Sequence, residues 1–335
     1  MATTPVISNL TLHGLPQLIR RELGEPALHR AVRAAGVDLE VIEGESCFIP
    51  HAAALRLIET AARAAGEDNF GLLMAPQMDV ANYGTYGKYI YAADTLGDAI
   101  GRAIEALAYH STGDTMRLAT VGDEARYSYG FALAGDAGYA HVANVAAGAL
   151  TSVCRHFLSD SWRPLRIELD IARPRRTAPF EDMFQCPVIF DAPTMTIVFS
   201  RDRLAARGPV RSAAPTVTIA DVARDRRGVA PLDTLGVILE HIRLQVRSGS
   251  ISIDNTARAM DTSIRTLQRE LNREGTEFRT LVNMARAKRA DELLRHSDVS
   301  ITSIAAELGY SSPANFSRAF RNATGVNPSA LRGAG

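Results

Sequence analysis

The sequence predicts an α+β domain, an antiparallel sheet with helices, followed by an all-α domain that holds two similar helix pairs joined by a connecting helix. Three observations predict it. Strand-like segments in the first two hundred residues come in hairpins rather than in regular βαβ alternation. The residues after about 232 keep helical spacing to the end of the chain. A passage near the C-terminus repeats itself at a shift of 48 to 49 residues.

In chain order, helical spacing appears first at Leu55, Ile58 and Ala62, then at Leu96, Ile100, Ile104 and Leu107. It returns at Val142, Val145, Ala149, Val153 and Phe157. MRLATV and ARYSYGFAL flank Gly122-Asp123-Glu124 and read as a hairpin. In LRIELDIAR, Leu165, Ile167, Leu169 and Ile171 alternate onto one strand face, and Trp162 just before them reads as a packing anchor. CPVIF and TMTIVF flank Asp191-Ala192-Pro193 and read as a second hairpin. From 206 to 231 the text turns small, charged and Pro-containing, as a linker does, with room for one short helix. Leu235, Ile238, Leu239, Ile242 and Val246 then mark an amphipathic helix. Phe278, Leu281, Val282, Ala285, Leu293 and Leu294 mark the connecting helix, which at 1.5 Å per residue runs about 27 Å. The expected organisation is a domain over 1–205, a linker over 206–231 and a helical domain over 232–335.

Bulk properties narrow the classes. Hydrophobic residues make up 46% of 335 and charged residues 22%, the balance of an ordinary globular chain. No run of eighteen apolar residues suggests a membrane helix, and the N-terminus lacks the pattern of a signal peptide. Cys47, Cys154 and Cys186 lie far apart and form neither a CxxC site nor a disulfide framework, which fits a reducing cytoplasm. The formal net charge is zero, but from His241 onward fourteen Lys/Arg stand against nine Asp/Glu. A basic C-terminal third behind an acidic body suits a separate nucleic-acid-binding module, and is also found on solvated faces.

The repeat sharpens that reading. A shift of 48 pairs Ile253 with Ile301, Ala257 with Ala305 and Met260 with Leu308; one extra residue in the second turn then pairs Ser263 with Ser312, Leu267 with Phe316 and Leu271 with Phe320. Each copy reads as a short helix, a tight turn and a second helix, over about 252–275 and 300–323. Gly309 suits the left-handed turn, Ser312 an N-cap and Pro313 the first helical position. Between the apolar positions of the second helices lie Arg265, Thr266, Gln268 and Arg269 in one copy, and Ala314, Asn315, Ser317 and Arg318 in the other. Arg pairs with guanine edges, Asn and Gln with adenine, and small methyl groups with thymine, so these faces suit a DNA major groove. A solvated face is the plainer alternative for one such helix, and two copies in register weigh against it.

These residues resemble the DNA-binding module of the AraC/XylS family of bacterial transcription regulators. The resemblance is carried by ARAMDTSIRTLQRELNREGTEF, by Arg286, Ala290, Leu293 and Leu294, and by SITSIAAELGYSSPANFSRAFRNATGVNPSALR. It implies that both second helices enter successive major grooves of double-stranded promoter DNA, with base readers at Arg265, Gln268, Arg269, Ala314, Asn315, Ser317 and Arg318. One departure is Asp261, where the family usually has Gly; Asp adopts the left-handed turn at a cost of roughly 1 kcal/mol. On the connecting helix, Arg286, Lys288 and Arg289 are candidates for phosphate contact or for intramolecular pairing.

The first two hundred residues resemble the non-cupin effector domain of some AraC-type regulators, through FGLLMAPQMD, DTLGDAIGRA and SWRPLRIELDIARPRRTAPFEDMFQCPVIFDAP. That resemblance implies binding of a small-molecule effector of unknown identity, and often self-association as a homodimer. It also implies contact with RNA polymerase, activation being the commoner outcome. Candidate effector contacts are Tyr83, Tyr86, Tyr89 and His110, since phenols with an apolar body and a polar tip make good pocket walls. Each can equally be a satisfied core residue. Arg117 and Arg126 on the predicted hairpin suit an anion or a neighbouring acid.

No Walker A, GxGxxG after a strand, HExxH or GxSxG is present, and the histidines lack metal-ligand spacing, so no catalytic, cofactor or metal site is expected. Two rivals remain. One is a DNA-repair methyl acceptor, which needs an activated cysteine in a basic setting that the three cysteines do not offer. The other is an architectural protein that binds DNA without regard to sequence.

Overall fold

A computed structural model describes residues 4–66, 70–209, 217–225, 231 and 233–332. The chain divides into two compact units. One comprises Pro5–Ala35 and Ile42–Ala230; the other comprises Pro231–Gly335 together with Met1–Thr4 and Gly36–Val41.

In the larger unit, β1 (Val6–Ser8) pairs antiparallel with β2 (Phe48–Pro50). Its helices are α1 (Leu15–Leu23), α2 (Glu25–Ala35), α3 (Leu39–Glu43, of which Leu39–Val41 are counted with the smaller unit), α4 (His51–Ala65), α5 (Phe70–Met74), α6 (Gly84–Tyr91) and α7 (Leu96–Glu105). After a hairpin come α8 (Tyr139–Leu158), α9 (Ala178–Phe184) and α10 (Ile219–Asp225). The three apolar stripes read from the sequence fall on α4, α7 and α8; Leu55, Ile58, Ala62, Leu96, Ile100, Ala149, Val153 and Phe157 are buried, Ile104, Val142 and Val145 are half-buried, and Leu107 lies just beyond α7.

The main sheet has strands β3 (Thr115–Val121), β4 (Glu124–Gly130), β5 (Arg166–Glu168), β6 (Val188–Ile189) and β7 (Met195–Ser200), in the order β3-β4-β7-β5-β6. The hairpin of β3 and β4 forms about Gly122-Asp123 as its turn chemistry predicts. The second expected hairpin does not form. β5 lies between β6 and β7, antiparallel to β7 through Ile167 opposite Ile197 and parallel to β6 through Ile167 opposite Val188. The reason is hydrogen-bonding competition: β7 has its two edges taken by β4 and β5, so β6 can add only beyond β5. Ile167 and Leu169 are fully buried as the alternation predicts, while Leu165, at the strand's start, is exposed.

Across the strands, an ion-pair cluster covers the polar side of the sheet. Arg166 donates two bonds to Glu124 (2.6 and 2.8 Å) and one to Glu168 (2.9 Å), and Arg126 donates to Glu168 at 2.5 Å. These carboxylates raise the Arg166 pKa, first through the bonds to Glu124. Arg126 is thereby engaged by acids within the sheet. Trp162 sits edge-on to Phe199 at 5.9 Å, a packing contact as expected.

α8 passes close to neighbouring backbone. A Cβ on Gly148 would lie 2.3 Å from the carbonyl oxygen of Ala75. In the region expected as linker, α10 buries Val222 completely; residues 210–216 and 226–230 of that region lie outside the described residues.

The smaller unit is helical: α11 (Thr234–Ser248), α12 (Ile253–Ala259), α13 (Ile264–Arg273), α14 (Phe278–His296), α15 (Ile301–Glu307), α16 (Pro313–Thr324) and α17 (Pro328–Arg332). One hydrophobic core runs through it, from Ile238, Ile242 and Val246 of α11 through Leu281, Ala285 and Leu294 of α14 to Leu267, Leu271, Phe316 and Phe320. Gln245 ties α11 to the start of α12, accepting from the Ser252 amide at 3.1 Å and donating to the Ser252 carbonyl at 3.2 Å. Beside it, His241 is buried, 3.1 Å from the Gln245 amide nitrogen. Burial lowers its pKa to about 4, with Asp38 opposing.

Two outcomes follow from this packing. Gly148→Ala gains about 1 kcal/mol of helix propensity but overpacks against a carbonyl that cannot swing away, at about 1–3 kcal/mol. The expected net result in urea unfolding is a loss of stability; a gain would mean the helices can separate. Because His241 is held below its unfolded value near 6.5, it contributes stability above that pH, which is lost as pH falls toward 4, by about 3 kcal/mol in all. Urea midpoints taken between pH 8 and 4.5 are expected to fall less steeply for His241→Gln than for the parent chain.

Candidate nucleic-acid interface and effector cavity

The two helix pairs are built by the same hydrogen bonds. At the end of α12 the Thr262 amide donates to the Ala257 carbonyl at 2.9 Å, and at the end of α15 the Tyr310 amide donates to Ala305 at 2.9 Å. Each turn passes through a left-handed residue, Asp261 at φ 51° and Gly309 at φ 72°. The first turn therefore carries a side chain in a conformation that glycine adopts without strain. Ser263 then caps α13 by accepting from the Thr266 amide (3.1 Å), and Ser312 caps α16 by accepting from Asn315 (3.2 Å). Pro313 follows at the first position of α16, where no intrahelical donor is needed.

Leu267 and Leu271 on α13, and Phe316 and Phe320 on α16, are one turn apart and fully buried. That spacing turns the residues between them outward. Arg265, Gln268 and Arg269 are exposed on α13, as are Ala314, Asn315 and Arg318 on α16. Thr266 and Ser317 are half-buried, and the Thr266 hydroxyl lies 3.0 Å from Ser263 Oγ, inside the cap. A feature missed from sequence links three side chains on the second face. Ser311 accepts from Asn315 Nδ2 at 2.8 Å, and Asn315 Oδ1 accepts from Arg318 at 2.6 Å, which orders the guanidinium at the helix surface.

The nineteen-residue α14 joins the two pairs. Of its three candidate cations, Arg286 lies 5.1 Å from the Tyr310 ring centroid and Arg289 bonds Glu307 at 3.2 Å, so both have intramolecular work. Lys288 is exposed.

In the larger unit, an apolar cavity of about 90 Å³ lies among α4, α6, α7, α8 and the β3–β4 hairpin. It brings together Tyr83, Tyr86 and His110 of the four sequence candidates. The His110 ring stacks on both phenols, at 5.0 Å from Tyr83 and 4.5 Å from Tyr86. Tyr89 is absent from the lining: its hydroxyl donates to Glu105 at 2.7 Å and Arg102 lies over its ring, which fastens α6 to α7. Met116, Tyr127, Tyr129 and Phe131 complete one wall, and the Val142–Val153 stripe of α8 another. The alternation in ARYSYGF was a usable signal for Tyr127 and Tyr129, since it puts both phenols on the buried face.

Beneath this wall lies a buried polar cluster. Asp114 accepts from Tyr129 and Ser111 (both 2.5 Å) and from the Ala132 amide (2.8 Å), and Ser111 lies 3.0 Å from His51 Nε2. Burial lowers the His51 pKa, with Asp114 opposing. The serine bridges acid and imidazole here, unlike a catalytic triad in which the imidazole stands between them; the cluster satisfies buried polar groups.

Comparison with known families follows the same division. Residues 27–207 match the arabinose-binding domain of AraC transcription regulator, N-terminal, and residues 256–334 match a helix-turn-helix domain. This chain belongs to the AraC family of transcription regulators. The AraC-type chain is 25% identical over 304 residues to the ornithine utilization regulator of Pseudomonas aeruginosa, covering 89% of this chain and 88% of that one. It is 33% identical over 117 residues to the transcriptional activator RhrA of Rhizobium meliloti, covering 33% and 37% of the two chains. The crystal structure of the regulator CdpR from Pseudomonas aeruginosa aligns over 92% of this chain and 97% of its own, at 20% identity and a TM-score of 0.41. The AraC-family assignment makes the helical unit a DNA-binding one. Among the described residues, no helix is long and apolar enough to cross a membrane.

The caps make a local prediction for this AraC-type unit. Ser312→Ala is expected to cost about 1 kcal/mol, and Ser312→Asp close to nothing, because Asp restores the oxygen that the Asn315 amide needs. Urea unfolding of the full chain reads both; equal losses would mean that the cap contributes little.

Proposed function

We propose that this AraC-family regulator is a cytoplasmic, effector-responsive activator that reads its promoter through eight side chains. These are Arg265, Thr266, Gln268 and Arg269 on α13, and Ala314, Asn315, Ser317 and Arg318 on α16. The observation that supports this reading most is the pairing of two capped, outward-facing helices on one shared core. Arg269 and Arg318 are the base-reading guanidiniums, with Arg318 pre-ordered by Asn315. Thr266 contributes its methyl group, its hydroxyl being used in the cap. Lys288 supplies a phosphate contact from the connecting helix.

The domain assignment follows: residues 1–205 bind effector and self-associate as a homodimer, 206–231 link, and 232–335 bind DNA. Effector binding in the first domain shifts the population of conformers in which the paired helices engage adjacent sites and present the complex to RNA polymerase. Activation is supported by the transcriptional activator RhrA, to which this chain is similar over 117 residues.

The test selects a binding site from random duplex DNA, then measures affinity against scrambled competitor. Arg269→Ala and Arg318→Ala are each expected to lose about 1–3 kcal/mol at the selected site and little on scrambled DNA. Lys288→Ala should weaken both equally and lower the salt dependence. Equal loss on both DNAs for the two arginine variants would mark them as phosphate contacts and favour the architectural alternative.

A further inference from the structure

We infer that the effector is a small, uncharged, single-ring aromatic molecule with one hydroxyl or carbonyl group, held in the Tyr83–Tyr86–His110 cavity. The inference rests on the reading that the larger unit is the effector unit, and it names the ligand chemistry that this site takes.

Charge decides the first point. Among the described residues, the cavity lining holds no Asp, Glu, Lys or Arg. An ionised ligand would lose its hydration there without a countercharge, which costs several kcal/mol. A polyol fares little better, because most polar tips around the cavity are already engaged. The Tyr86 hydroxyl donates to the Ala103 carbonyl at 3.1 Å, that of Tyr127 to Met116 Sδ at 3.2 Å, and that of Tyr129 to Asp114 at 2.5 Å. Tyr83 differs from these three. Its phenol is buried, and its hydroxyl makes no hydrogen bond with another described residue. One uncommitted hydroxyl at an apolar cavity matches one polar group on a ligand.

Size and shape decide the second point. The cavity measures about 90 Å³, against the ~10–15 Å³ that one water needs and the ~150 Å³ of an engineered apolar cavity that takes benzene. A single ring therefore enters only where the walls part to add about 60 Å³. The rings of Tyr83 and Tyr86 each stack on His110, and an aromatic ligand adds a further ring to that group.

The rest of the unit offers ligands of other chemistry different places. A cleft of about 430 Å³ carries Gln17 and Glu43, which bond each other at 3.1 Å. Another of about 260 Å³ carries Asp79, Arg155 and His156. A sugar or an amino acid that binds this chain would go to one of these two clefts.

Titration calorimetry of the full chain with p-cresol at pH 7.5 tests the inference, beside 4-methylbenzoate, L-arabinose and L-ornithine. The expected result is saturable binding of p-cresol and none of the other three at the same concentrations. Tyr83→Phe, which keeps the ring, should weaken p-cresol about tenfold, and Ala149→Phe, which fills the cavity, should abolish it. DNA affinity of the variants checks folding; if Ala149→Phe does not fold, Tyr83→Phe alone decides. Absence of p-cresol binding, or binding that Tyr83→Phe leaves unchanged, overturns the inference. Saturable binding of arabinose or ornithine overturns it too, while keeping the effector reading. Failure of the effector reading itself would show differently: p-cresol would bind saturably and Tyr83-dependently, yet leave the DNA affinity of the parent chain unchanged.

Discussion

Neither α13, with ten residues, nor α16, with twelve, is long enough to be a stable helix by itself. What holds them is burial of Leu267, Leu271, Phe316 and Phe320 against α11 and α14 in one core. Each such side chain contributes about 1.5–3 kcal/mol on leaving water. The outward faces are a consequence of the inward ones. With apolar residues fixed four apart, the side chains between them turn toward solvent, fully at Gln268, Arg269 and Arg318 and in part at Glu270, Ser317 and Ala319. On the proposed reading, affinity for DNA and stability of the unit draw on different faces of the same short helices, and changes at Arg269 or Arg318 alter recognition with little effect on folding.

The turns and caps set where those faces begin. The paired bonds from Thr262 to Ala257 and from Tyr310 to Ala305 end the first helices at equivalent points. Ser263 and Ser312 start the second helices after turns that differ in length by one residue. The two copies differ in detail, with Asp261 carrying positive φ in one and Gly309 in the other. The second copy adds the Ser311–Asn315–Arg318 chain, which orders its arginine in the free protein. On the proposed reading, that ordering reduces the side-chain entropy lost on binding DNA.

Much of this was legible in the sequence because it is local. Caps, turn residues and a four-residue apolar spacing are read within a dozen positions, and α11, α14 and both helix pairs follow from them. The β3–β4 hairpin was legible for the same reason, with Gly122-Asp123 at its turn. The placement of β6 was not: its partner is β5, some twenty residues earlier, and nothing in CPVIF records that choice. The cavity was half legible. Tyr83 and Tyr86 pack on His110, as aromatic residues around a pocket do, but Tyr89 turns to Glu105 and Arg102 on the neighbouring helix. The far wall comes from a strand and from α8, and only the tertiary fold brings these to the same place.

The central claim is that one core holds two reading helices as a fixed pair. The most direct test inserts five base pairs between the two halves of the operator selected from random duplex DNA. This turns one groove to the opposite face of the duplex, about half a helical turn away. A fixed pair is expected to lose at least a hundredfold in affinity, down to the level of one half-site. Undiminished binding to the expanded operator would contradict the shared-core account, because it would require the two helix pairs to reach their grooves independently.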